Sequence, residues 1–162
     1  MKKFLFSIVS LLTLVSCGSD DAESNVGTVN FSVYSYIDSP STEKLATDSY
    51  CWFGLFDCEQ SSISTEQGDV YDIADKKVLK LKDGTTVNPK YSVSTDIGTC
   101  HLDNVSYGRY IVVVCYRNGT MQTSSHYYYY GAKALKVDSP AGNNCRFVFE
   151  IGADKYGKLV NQ

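Results

Sequence analysis

Apolar and polar residues alternate along much of this chain with a period of two, the spacing that sends successive side chains to opposite faces of a β-strand. Over Thr28 to Ile37, Val29, Phe31, Val33 and Ile37 fall on one side, and Asn30, Ser32, Tyr34 and Tyr36 on the other. This predicts a half-buried strand, broken by Ser39-Pro40-Ser41. Further strands are predicted over Ser49–Asp57, Lys77–Lys82, Tyr91–Thr95, Gly108–Arg117, Met121–Tyr130, Ala134–Val137 and Cys145–Ile151. Asp83-Gly84 signals a turn and Asn118-Gly119 a hairpin, because these dipeptides favour tight turn conformations. Glu59–Lys76 is polar with little periodicity and reads as a long loop or a single turn. Short strands separated by turns predict an all-β, antiparallel two-sheet sandwich of about seven or eight strands.

Two strands break the alternation. Ile111 to Cys115 is apolar at every position, and Cys51, Phe53 and Leu55 back onto Trp52 and Phe56. A sheet in a sandwich ordinarily wets one face, so Trp52, Phe56, Ile111 and Val113 need a cover. Either the segment Glu59–Lys76, with Ile63, Val70 and Ile73, folds over them, or they form a patch of a few hundred Å² for a partner.

Composition narrows the class. Thirteen tyrosines and seven phenylalanines against two methionines favour strands over helices,. The 15 basic and 18 acidic residues leave a net charge of −3, without the basic patch that nucleic-acid binding requires. Nucleic acid is therefore not an expected partner.

The amino terminus has a different pattern. Lys2 and Lys3 precede a short apolar run, Phe4 to Val15, which ends in Leu14-Val15-Ser16-Cys17. The run is too short to span a bilayer, which takes ~20 residues, but suits a signal-peptide core. Its order resembles the lipobox of bacterial lipoproteins, whose cysteine thiol is alkylated by a diacylglycerol while the preceding residues are removed. The resemblance implies a signal peptide over 1–16, a covalent lipid on Cys17 and a bilayer as partner. Gly18, where Asp would signal inner-membrane retention, implies the outer membrane. Ser19-Asp20-Asp21 resembles the surface-export signal of lipoproteins from gut-type Gram-negative anaerobes, which implies a domain facing the cell exterior. Residues 17–27 are then an acidic tether, 28–152 the sandwich and 153–162 a C-terminal tail.

Thr95-Asp96-Ile97-Gly98-Thr99-Cys100-His101-Leu102-Asp103-Asn104-Val105-Ser106-Tyr107-Gly108-Arg109-Tyr110-Ile111-Val112-Val113-Val114 resembles a pattern of transthyretin-like (prealbumin-like) sandwich domains, including carboxypeptidase-regulatory-like modules. In this pattern Asp96 and Gly98 shape a turn, Cys100 and Leu102 point inward, and Gly108 permits a tight corner. Tyr110, Val112 and Val114 then fill the core. The usual proline before Gly108 is missing, and Cys100 stands where an aromatic residue is common. The fold so implied hosts many roles and names none.

Cys51, Cys58, Cys100, Cys115 and Cys145 remain after Cys17, an odd number,. Cys100 and Cys115 sit on the two arms of an expected hairpin but face opposite ways, so a bridge between them is not expected. They read instead as small buried residues. No cysteine-histidine knuckle suits a metal, and the chain lacks the usual hydrolase and phosphate-loop patterns. His101 and His126 read as strand-surface residues. No metal, cofactor or catalytic residue is expected.

The run Tyr127-Tyr128-Tyr129-Tyr130 is the one composition spike that suggests a contact site. On a strand, Tyr127 and Tyr129 share one face and Tyr128 and Tyr130 the other. One pair would fill core while the other forms an aromatic shelf for a protein or a sugar ring. The reading as a whole is a surface lipoprotein acting as a non-catalytic binding, adhesion or accessory module. The alternative is a glycan-binding accessory of a nutrient-uptake system using the tyrosine shelf.

Overall fold

Two β-sheets face each other in the computed structural model, which describes residues 25–119 and 124–162. The lipobox, Cys17 and most of the tether lie outside these residues. The strands are β1 (Val26–Tyr36), β2 (Lys44–Leu45), β3 (Tyr50–Phe56), β4 (Leu79–Lys80), β5 (Thr86–Val87), β6 (Tyr91–Thr95), β7 (Thr99–Ser106), β8 (Gly108–Arg117), β9 (Tyr129–Val137), β10 (Asn143–Glu150) and β11 (Leu159–Asn161). In the first sheet β1 is central: β10 lies along one edge, and β7 and β2 pair with successive stretches of the other. The second sheet runs β11-β9-β8-β3-β6. The all-β sandwich expected from the alternation is present.

The inward residues are those the period of two selects. Val29, Phe31 and Val33 of β1 meet Cys145, Phe147 and Phe149 of β10, then Phe53, Leu55, Val112, Val114 and Tyr116 of the second sheet. Phe31 stacks on Phe53 at 4.7 Å, and both are buried. Truncating such an aromatic side chain to alanine costs about 3–5 kcal/mol. Ile37, assigned to the same inward row, lies beyond β1 and is 61% exposed.

Several expectations are corrected. β10 runs parallel to β1, and β11 parallel to β9, so the sandwich is mixed rather than wholly antiparallel. Alternation reports which face a residue takes, not the direction of its neighbour. Cys100 and Cys115 are not on one hairpin, because β7 pairs with β1 in the first sheet and β8 with β3 and β9 in the second. The chain changes sheets between Ser106 and Gly108, where the Tyr110 hydroxyl donates to the Ser106 carbonyl at 2.8 Å. The two strands expected over Met121–Tyr130 and Ala134–Val137 are instead a single β9 preceded by a 3-10 turn, Ser125–Tyr127. Residues 120–123 lie outside the description. The segment expected as a tail, 153–162, adds β11 to the second sheet.

The polar segment Glu59–Lys76 contains a helix, α1 (Gln67–Asp75), rather than only loop. Its apolar residues are few, but Val70 and Ile73 are three apart and share one face. That face, with Ile63 and Leu79, packs on Trp52, Phe56, Ile111, Val113 and Cys115. Asp69 holds the start of α1 in place by accepting from Ser64 at 2.7 Å and pairing with Lys80 at 2.7 Å. The chain thus supplies its own cover for the doubly apolar sheet, and the molecule has three layers.

The predicted turn at Gly98 is formed, and its glycine is required. φ is +73°, and a Cβ there would lie 2.5 Å from the Ala46 carbonyl oxygen. The hairpin of β4 and β5 closes over Asp83-Gly84, with Asp83 accepting from the Thr85 N–H at 2.8 Å.

Candidate functional site

The tyrosine run does not form a shelf. Tyr129 and Tyr130 are fully enclosed at 1% and 0% exposure, and Tyr128 is buried on the helix-covered side. The Tyr129 side chain enters the inter-sheet core, and its hydroxyl accepts from the Gly152 N–H at 3.1 Å. Tyr130 donates to the Ser125 carbonyl at 2.8 Å. Both faces of β9 are buried at this point, which is why neither pair is left for solvent. Burial raises the hydroxyl pKa of Tyr128, Tyr129 and Tyr130 alike. Tyr127 alone stays at the surface, where it meets Tyr156 edge-on at 5.8 Å. Trp52 and Phe56 are buried beneath α1, which removes them as a partner surface.

The first sheet is built differently. Its inner face is core, whereas its outer face carries polar side chains in register across three strands. His101 of β7 stands beside Asn30 of β1 and Asn144 of β10; Thr99 stands beside Ser32 and Arg146. Thr28 donates to Asp103 at 2.7 Å, and Asn30 to Asn144 at 3.3 Å. Asn30, Ser32, Thr99, His101, Asn144 and Arg146, with the exposed Ile97, line a shallow groove of about 750 Å³. Among the described residues no element covers this face as α1 covers the other sheet.

The Arg146 charge on this face is paired. Arg146 bonds Glu43, and its guanidinium lies over the Tyr34 ring at 4.3 Å. His101 and Asp103 approach at 3.5 Å. What remains is a neutral row of amides and hydroxyls flanked by a tyrosine, which suits hydrogen bonding to a polar, uncharged ligand. The polar side of β1 was legible from the sequence. Its juxtaposition with Asn144 and Arg146 was not, because β10 lies more than a hundred residues away and pairs in parallel.

The five described cysteines are free thiols. Cys115 lies on the helix-covered side of the second sheet and Cys100 packs against the inter-sheet core, so the sheet separates them. Burial raises Cys51 and Cys145 to about 12 and Cys100 to about 11. These groups are poor nucleophiles and poor metal ligands. Among the described residues no group of three or more His, Cys, Asp or Glu side chains converges.

No protein-family model matches the chain, and no curated protein matches its sequence. Among solved structures it is similar to the crystal structure of a proposed carbohydrate binding protein from Pseudomonas aeruginosa. The identity is 14%, the TM-score 0.38, and the likeness covers 77% of this chain and 89% of that one. It carries no argument about the ligand here.

Proposed function

We propose that this chain is a non-catalytic binding module that holds a neutral glycan on the open face of its first sheet. The observation that carries the reading is the contrast between the two outer faces. One is sealed by the chain's own helix, while the other presents Asn30, Ser32, His101, Asn144 and Arg146 in register on a rigid sheet. Amide side chains offer both donors and acceptors to sugar hydroxyls, and charge pairing on this face disfavours an ionic ligand. The transthyretin-like pattern of residues 95–114 fits such a scaffold role.

The lipobox adds the address: a diacylglyceryl thioether on Cys17, an outer-membrane anchor and an acidic tether that presents the sandwich to the cell exterior. Each buried methylene stabilises anchoring by ~0.8 kcal/mol, so several acyl chains hold the protein permanently.

The test is a glycan array followed by calorimetry with the glycan it selects. The double variant Asn30→Ala/Asn144→Ala should lose binding while keeping its melting temperature, and Tyr127→Ala should bind as the parent does. Binding that survives the double variant would remove this face from consideration. Metabolic labelling with a palmitate analogue checks the anchor separately, since Cys17→Ser should abolish the label.

A further inference from the structure

Away from the open face, the helix-covered side of the second sheet ends in a row of three side chains. Tyr50 of β3, Arg117 of β8 and Tyr128, the residue before β9, lie side by side. The Arg117 guanidinium is 5.7 Å from the Tyr50 ring centroid and 6.0 Å from that of Tyr128. Lys77 leaves the end of α1 in a left-handed conformation, φ +60°. Its ammonium comes to 5.0 Å from the Tyr50 ring and 5.3 Å from the Trp52 ring. Both cations therefore lie against the Tyr50 ring.

Neither cation has a carboxylate partner among the described residues. Asp75 is the acidic group nearest in sequence, and it accepts from the Ser125 hydroxyl at 3.2 Å instead. The Arg117 Nε is shielded from solvent and, among the described residues, has no hydrogen-bond acceptor. Buried donors are ordinarily satisfied, and one that is not calls for a partner. Aromatic faces hold the two cations in place without supplying an oxygen to their N–H groups.

We infer that Arg117 and Lys77 form an oxyanion site that takes a carboxylate or sulfate group, with Arg117 as the directional donor and Lys77 as the point charge. A guanidinium matches the spacing of two oxygens on one group, and the Tyr50 and Tyr128 rings hold it in place. Burial pushes the Tyr128 hydroxyl pKa up, and the Arg117 and Lys77 charges each oppose that push. The inference is independent of the glycan face, since the two sites lie on different sheets.

Trp52 is the only tryptophan in the sequence and lies under the Lys77 ammonium, so its emission reports on this site. Titration with sodium sulfate or sodium glucuronate, at ionic strength held constant with chloride, should give a saturable change that neutral glucose does not produce. Lys77→Asn removes the charge while keeping a residue that tolerates the left-handed backbone. It should weaken sulfate about tenfold, as expected for loss of one charged contact. Arg117→Gln should abolish saturation, and Arg146→Gln on the open face should titrate like the parent. Thermal melts accompany each variant, so a folding defect is separated from lost binding. An emission change that chloride reproduces, no saturable change in the parent, or unchanged titration of a folded Lys77→Asn would each overturn the site.

Discussion

Gln162 turns its side-chain amide onto the backbone of Val148 as a neighbouring strand would. Its Oε1 accepts the Val148 N–H at 2.8 Å, and its Nε2 donates to the Val148 carbonyl at 2.6 Å. Two residues along, the Lys133 ammonium donates to the Arg146 carbonyl at 2.9 Å. β10 is an edge of the first sheet, and an edge with free backbone groups invites pairing with another chain. Side chains from the second sheet and its terminus occupy those groups here.

Gln162→Leu should therefore have two effects. Two hydrogen bonds are lost, which costs about 1–2 kcal/mol, and the freed edge of β10 promotes association. Urea denaturation reads the first, and sedimentation at increasing concentration, compared with the parent, reads the second. Parent-like behaviour in both would show that the amide plug is dispensable.

Gly54 sits between Trp52 and Phe56 on the covered face of β3. A Cβ there would lie 2.5 Å from the Trp52 ring and 2.7 Å from the Phe56 ring, and those rings meet edge-on at 6.4 Å. Gly54→Ala should destabilise by about 1–3 kcal/mol, the range for overpacking a filled core. A melting temperature equal to the parent's would mean that the rings yield freely.

Alkaline pH should unfold the protein. Burial raises the pKa of Tyr116, Tyr128, Tyr129 and Tyr130 above the free value of 10.0. The folded state thus holds these protons more tightly than the unfolded chain does. Their contribution is complete below pH 10 and is lost as pH rises through the folded values. Each such tyrosine steepens the loss by up to about 1.4 kcal/mol per pH unit. Stability measured in denaturant from pH 8 to 11 should be level at first and then fall, and a curve that stays level to pH 11 would contradict the burial.

Cysteine accessibility should be graded. Cys58 is half-buried, whereas Cys51, Cys115 and Cys145 are enclosed, with thiol pKa values raised by burial. Iodoacetamide at pH 8 should label Cys58 first in the native protein and reach the enclosed three only in denaturant. Peptide mass spectrometry distinguishes the order, and early labelling of Cys145 would be incompatible with the core described.

Much of the architecture could be read from period and polarity. The rows Val29-Phe31-Val33 and Tyr110-Val112-Val114 fill the core as expected, because alternation is a local geometric property of extended chain. The doubly apolar character of Cys51–Phe56 and Ile111–Cys115 also demanded a cover, and Ile63, Val70 and Ile73 supply it. The helix carrying two of those residues escaped notice because only Val70 and Ile73 mark its buried face. The tyrosine run misled for a related reason: alternation assumes one wet face, and β9 at Tyr129 and Tyr130 has none.

Sequence alone thus determined which residues avoid water, where turns interrupt the strands, and the pattern at Cys17 from which an anchor is proposed. These are properties of short stretches, governed by neighbours a few positions away. Tertiary structure alone decided which sheet each strand joins, that β10 lies parallel to β1, and which face the described residues leave bare. It also brought Lys77 and Arg117 to the Tyr50 ring and Asn144 beside Asn30. Such pairings depend on how distant segments close over a shared core, and side-chain periodicity holds no information about that closure.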